Sequence, residues 1–213
     1  MRLPFTHEQF LDVFGAFNSA WWPAALVLWV LSALALYALA RRRAGARPLF
    51  ALLALHWAWS GAVYHLASFA PINPAAKLFS ALFLAQAGLF AWFALRPGSA
   101  TFAWGAAPRR WLSIGFALYA LAYPLLGMAI GLRWPRMPAF AVPCPTTLLT
   151  VGLLLALEPR RLRGLAVIPV LWALVGGTAA FALGIVSDLA LFLGAACLVA
   201  YAAAPRLFER RAG

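Results

Sequence analysis

The chain has 213 residues, 65% of them hydrophobic and 10% charged, whereas soluble domains are roughly 45–50% apolar and about 25% charged, so the composition excludes an ordinary water-soluble fold. The net charge of +12 comes from 16 Arg and one Lys against five acids, and the arginines form short clusters between apolar runs, a pattern of cytoplasmic loops rather than of a nucleic-acid-binding face. A mean hydropathy of +0.88 and uninterrupted apolar runs such as residues 24–40 point to helices that cross a bilayer and exclude the alternating pattern of a membrane barrel.

Some 20 residues containing Glu8 and Asp12 precede the first apolar run. That run is too long for the core of a cleavable signal, so the first helix is expected to stay. Within residues 1–19, Thr6 and Gln9 form a capping pattern, and Phe10, Leu11, Phe14 and Phe17 recur at helical spacing. This segment reads as an amphipathic stretch on the outer surface that covers the mouth of a bundle. Pro, Gly and Arg punctuation predicts transmembrane helices at 20–40, 48–70, 75–95, 111–132, 145–158, 165–186 and 188–204, followed by a basic cytoplasmic tail at 205–213. The fold class is an all-α polytopic bundle of about seven spans.

The second helix carries His56 and His65. Nine residues turn a helix by about two and a half revolutions, so the two imidazoles face opposite sides and share no haem or metal; no cofactor is implied. Against an antiparallel third helix, His56 falls level with Gln86 and His65 with Ser80, which predicts two interhelical hydrogen bonds. At Pro71-Ile72-Asn73-Pro74-Ala75, Asn73 suits a cap and Pro74 a first helical position. Helix four carries Tyr119, Tyr123 and Pro124, which predict a locally polar, kinked helix, and Gly127 and Gly131, which predict close packing.

In Val142-Pro143-Cys144-Pro145-Thr146-Thr147, Pro145 reads as the first helical residue and Cys144 as the cap, with its thiol at the positive end of the helix dipole. From there to Glu158 is roughly 21 Å of helix, short of the roughly 30 Å hydrocarbon core. This helix is expected to begin inside the membrane, approached by residues 137–141 as a re-entrant segment. Gly176, Gly177 and Gly184 mark a small-residue face on helix six, and Asp188 is the expected cap of helix seven. Cys144 and Cys197 have no paired spacing, so neither a disulfide nor a zinc site is implied.

Thirteen basic residues fall on one set of connections: Arg41, Arg42, Arg43, Arg47, Arg96, Arg109, Arg110, Arg160, Arg161, Arg163, Arg206, Arg210 and Arg211. The other set holds four, Arg2, Lys77, Arg133 and Arg136. The positive-inside bias therefore puts the N-terminus outside and the C-terminus in the cytoplasm. Trp21, Trp22 and Trp134 then fall at the outer interface, with Trp92, Trp104 and Trp111 at the inner one.

The stretches at residues 3–10, 70–75 and 142–147 (LPFTHEQF, APINPA and VPCPTT) resemble a bacterial multi-pass membrane family known only as a domain of unknown function, over nearly the whole chain. The resemblance implies a helical fold in a bacterial inner membrane and supplies no activity. The Pro-Cys-Pro step also resembles, loosely, the intramembrane Cys-Pro of heavy-metal pumps, without their nucleotide and phosphorylation domains.

Two helix starts facing outward, with intramembrane polar groups beside them, suggest a small transporter or channel. Its candidate site is His65, Asn73, Cys144, Thr146 and Asp188, and the thiol of Cys144 with the imidazole of His65 suits a soft metal ion. Two alternatives compete: a non-catalytic partner of a larger membrane complex or a homo-oligomer, and a thiol-dependent enzyme using Cys144 with His65 or His7 as base. No catalytic motif of a nucleotide enzyme or hydrolase is present, so the balance favours a non-enzyme whose partners are the lipid bilayer and a small solute or metal ion.

Overall fold

In the computed structural model, residues 4–96, 98 and 100–209 are described. Arg2 and Leu3 of the sequence reading, with Arg210 and Arg211 of the basic tail, lie outside the described residues. Of the described residues 79% are helical, and none forms a strand. Helix α1 runs from His7 to Ala40, α2 from Ala46 to Trp59 and on through a π-helical stretch, Ser60–Phe69, and α3 covers Ala76–Leu95. Then come α4 (Ala107–Leu121), α5 (Tyr123–Ala129), α6 (Pro143–Leu155), α7 (Pro159–Leu183), a 3-10 turn (Val186–Leu189), α8 (Ala190–Ala203) and the short α9 (Pro205–Glu209). Five helical stretches are long and apolar enough to cross a membrane, or six if the bent α4–α5 pair is one span; α6 is apolar but shorter.

The architecture is organised around α6. All its residues except Cys144 are buried, and it packs against α4, α8, α7 and α2. Its threonines lose their water but keep hydrogen bonds: Thr147 Oγ1 donates to Pro143 O and Thr150 Oγ1 to Thr146 O, both at 2.8 Å. The approach to it, residues 137–142, is irregular yet buried, which a nonhelical backbone at this depth requires to be protein-lined. Asn18 of α1 supplies part of that lining, its amide donating to Pro135 O at 2.7 Å and Met137 O at 2.8 Å.

Three expectations about the elements change. Residues 7–18 continue into the first helix without a break, beginning at a Thr6–Gln9 capping box, instead of forming a separate surface segment. Their apolar face meets the end of the π stretch, where Phe5, Phe10, Phe14, Phe17, Tyr64 and Phe69 form an aromatic cluster. Their acids, Glu8 and Asp12, clamp Arg136 at 2.5 Å and 2.9 Å. Second, the kink expected in the fourth helix is present and is sharp enough to divide it in two, α4 and α5 meeting at 67°. The break before Pro124 leaves Leu121 O free to accept from Trp29 Nε1 at 2.9 Å. Third, Gly131 is not a packing residue: its φ of +92° turns the chain out of α5, and a Cβ there would meet nothing.

The close approach occurs at Gly152 instead. A Cβ there would stand 2.8 Å from Ala117 N and Ser113 O, so α4 and α6 touch through their backbones, with Ser113 Oγ donating to Gly152 O at 2.5 Å. A methyl group would have to push the two helices apart. Gly152→Ala is therefore expected to destabilise the protein by about 1–3 kcal/mol. Gly115→Ala, on the open side of α4, should be neutral or stabilising by roughly 0.5–1 kcal/mol. Melting temperatures in detergent decide this, and equal shifts for the two variants would refute the close approach.

Candidate functional site

Helix α6 begins two residues earlier than expected. Val142 is the cap residue and Pro143 the first helical one, with Thr146 N–H closing the first bond to Val142 O at 3.2 Å. Both prolines fit because first-turn N–H groups have no intrahelical partner. Cys144 is thus the second helical residue, not the cap, and remains at the positive end of the dipole. It is half-buried and unbridged.

Around this end of α6 the chain gathers polar side chains from four other elements. Tyr64, from the π stretch, lies within electrostatic reach of both Cys144 and Asp188. Asp188 sits inside the 3-10 turn that follows the left-handed Gly184 stop of α7. Tyr119 of α4 donates from its hydroxyl to Ser187 O at 2.9 Å, and Ser187 Oγ donates to the Tyr123 hydroxyl at 3.3 Å. Asp188 is 5% exposed, and its Oδ1 is buried without a hydrogen-bond partner. The expectation that it caps helix seven fails: neither the 3-10 turn nor α8 has a side-chain cap. The four-residue turn carries the carboxyl away from the α8 N–H groups that a cap would serve.

Of the residues predicted for one site, the structure brings Cys144 and Asp188 to the shared neighbour Tyr64. It separates the other three. Asn73 shapes the turn before α3, accepting from Ala75 N at 3.2 Å. Thr146 faces a second polar group, where its hydroxyl lies 3.2 Å from Ser60 Oγ and 3.5 Å from His56 Nδ1, and His56 Nε2 lies 2.9 Å from Ser32 Oγ. His65 is fully buried among Phe79, Phe83 and Trp172, at ring distances of 4.7–5.7 Å, and both its ring nitrogens lack hydrogen-bond partners. Among the described residues no three His, Cys, Asp or Glu side chains are grouped to hold a metal ion. An open cleft of about 570 Å³ between α1 and the end of the π stretch, lined by Asp12, Trp21 and Ser68, has none of the five predicted site residues in its wall.

The predicted His56–Gln86 and His65–Ser80 pairs do not form. The stripe of α2 that faces α3 is Trp57, whose ring lies 4.3 Å from Phe83, then Gly61, in contact with Ser80 and Phe83, then His65. One residue before Trp57, His56 points about 100° away, to α1 and α6. Gln86 has a different task. Pro169 lies inside α7 and has no N–H, so the carbonyl four residues back is left unbonded; Gln86 Nε2 donates to that carbonyl, Leu165 O, at 3.2 Å.

At the other end of α6, sequence reasoning missed a buried cation. Arg109 is 8% exposed, and its Nη1 donates to Leu157 O at 3.4 Å and to the Tyr201 hydroxyl, which itself donates to Leu157 O at 2.9 Å. A guanidinium over the last carbonyls of a helix matches the negative end of the dipole. Counted only as an interfacial charge, Arg109 gave no signal of this; the only hint was a lone tyrosine, Tyr201, in an apolar run.

A family model described as a family of unknown function (DUF6064) matches residues 7–212. No curated protein and no solved structure matches the chain.

The Gln86 contact makes a testable cycle. Gln86→Leu should cost about 1–2 kcal/mol of stability by leaving Leu165 O unpaired. In a Pro169→Ala background, where residue 169 regains its N–H, the same substitution should cost less than half as much. Thermal unfolding of the four proteins measures this, and additive effects would show that Gln86 does not serve the proline gap.

Proposed function

The chain belongs to this family of unknown function, and from its own geometry we propose an integral membrane protein of the bacterial inner membrane, with seven membrane segments and the N-terminus outside, that transports or conducts a small solute. The coarse part rests on its long apolar helices. Counting α6 as a short seventh segment keeps the thirteen-to-four distribution of basic residues on alternate sides.

One observation carries the transport reading: the buried, unpartnered carboxyl of Asp188 beside two interrupted helices, the α4–α5 bend and the break between α7 and α8. Polar groups in a membrane interior mark solute or ion paths more often than they stabilise, and broken helices supply polar backbone at such sites. The site favoured here is Asp188, Cys144 and Tyr64, with Tyr119 and Ser187. His65 and Asn73 are not needed for it. A polar solute fits this set better than a soft metal ion, for which Cys144 is the one soft ligand.

Two measurements test the reading. For topology, single cysteines introduced as His7→Cys and Arg161→Cys in a Cys144→Ala/Cys197→Ala background should differ in intact cells: an impermeant maleimide labels position 7 and not position 161. The reverse pattern would overturn the orientation. For function, proteoliposomes should admit at least one of silver ion, potassium ion or glycerol at least tenfold faster than protein-free vesicles. Asp188→Asn or Cys144→Ala should reduce that rate severalfold. Vesicles no leakier than protein-free ones would favour instead a non-catalytic partner in a larger complex.

A further inference from the structure

We propose that Asp188 is a proton-binding site, so that the ion handled at the α6 entrance is H⁺ and the carboxyl rests in its neutral acid form. This deepens the transport reading and rests on it for its physiological meaning, though the protonation itself does not. The argument begins with burial. Asp188 is 5% exposed, and Oδ1 has no hydrogen-bond partner. An ionised carboxylate in such a place needs a cation, a set of donors, or water.

The surroundings offer no resident cation. The 3-10 turn packs against α5, α7 and α8. Along α7 no titratable side chain occurs between Arg163 and Gly184, α5 contributes only Tyr123, and α8 carries only Cys197 and Tyr201, more than two turns further along. From the remaining neighbours come Tyr64 and Tyr119, each within electrostatic reach of the carboxyl, and Cys144 next to Tyr64. These are phenols and a thiol, all neutral near neutral pH. The buried arginine, Arg109, is committed to the opposite end of α6, and both buried histidines are turned elsewhere: His56 to Ser32 and Thr146, His65 into its aromatic cage.

Nor is any donor bonded to Oδ1. The Tyr119 hydroxyl gives its hydrogen to Ser187 O, Ser187 Oγ gives its own to Tyr123, and the Asp188 N–H is bonded to Ile185 O at 3.0 Å. Among the described side chains Asp188 is therefore the acid that is buried without compensation: Glu8 and Asp12 are exposed and paired with Arg136, and Glu158 is exposed. Binding one proton removes the charge that neither a cation nor a hydrogen bond to Oδ1 offsets.

Dicyclohexylcarbodiimide, an apolar reagent that couples to protonated carboxyls within membranes, tests this on the full-length protein in liposomes. At near-neutral pH the expected result is one adduct per chain, mapped by peptide mass to Asp188 and absent from Asp188→Asn, with Glu8 and Asp12 unmodified. The yield should fall severalfold as pH rises through the alkaline range, because only the protonated form reacts, and it should be the same in sodium and choline chloride. No adduct even at mildly acid pH would overturn the proposal, as would protection by sodium, which would make the site one for a metal cation. Labelling is independent of flux: an adduct on a protein that moves none of the probes would sink the transport reading and leave the proton site standing.

Discussion

A short helix with protein on every side sets the terms for the rest of this molecule. Because α6 has no solvent or lipid face, every polar group it carries has to be satisfied by the chain itself. Thr147 and Thr150 bond back to their own turns, Thr146 meets Ser60, and Thr150 also accepts from Trp57 Nε1 at 2.8 Å. At its last carbonyls, Ala103 N–H reaches Ala156 O at 2.7 Å, while Arg109 and Tyr201 converge on Leu157 O. Near its first turn lies the unpartnered carboxyl of Asp188, and at its far end Arg109 keeps one buried Nε without a partner.

The same requirement explains several side chains that seem unrelated. Trp29, Gln86 and Asn18 each reach a carbonyl that an interrupted or irregular backbone leaves free: Leu121 at the α4–α5 bend, Leu165 before Pro169, and Pro135 and Met137 in the approach to α6. Prolines and bends are tolerated inside a bundle because a neighbouring side chain takes over the missing bond.

The helical fold was legible because its signals are local. Pro71 and Pro74 delimit α3, and Pro143 with Pro145 announces a helix too short to cross unaided. What was not legible depended on contacts between distant residues. The capping box and helical spacing of residues 6–17 are local, but the meeting of Glu8 and Asp12 with Arg136 is not, and no pattern within residues 1–19 reveals it. Asp188 and Cys144 stand out in the sequence, whereas nothing around Tyr64 marks it as lying within electrostatic reach of both. The His56–Gln86 pairing failed because level alone was matched; facing also matters, and Trp57 rather than His56 looks toward α3. Gln86 was readable only together with Pro169, 83 positions away by the numbering.

The clamp on the α6 approach has a consequence for assembly. Asn18 meets Pro135 and Met137 across 117 and 119 residues of sequence, and Arg136 meets Glu8 across 128. Chains are made from the N-terminus, so α1 is complete long before its counterpart exists. Until the α5–α6 connection emerges, the two acids and the amide on α1 wait without their ligands. The clamp on the approach to the central helix can therefore close only once residues 135–137 have been made, about two-thirds of the way along the 213-residue chain.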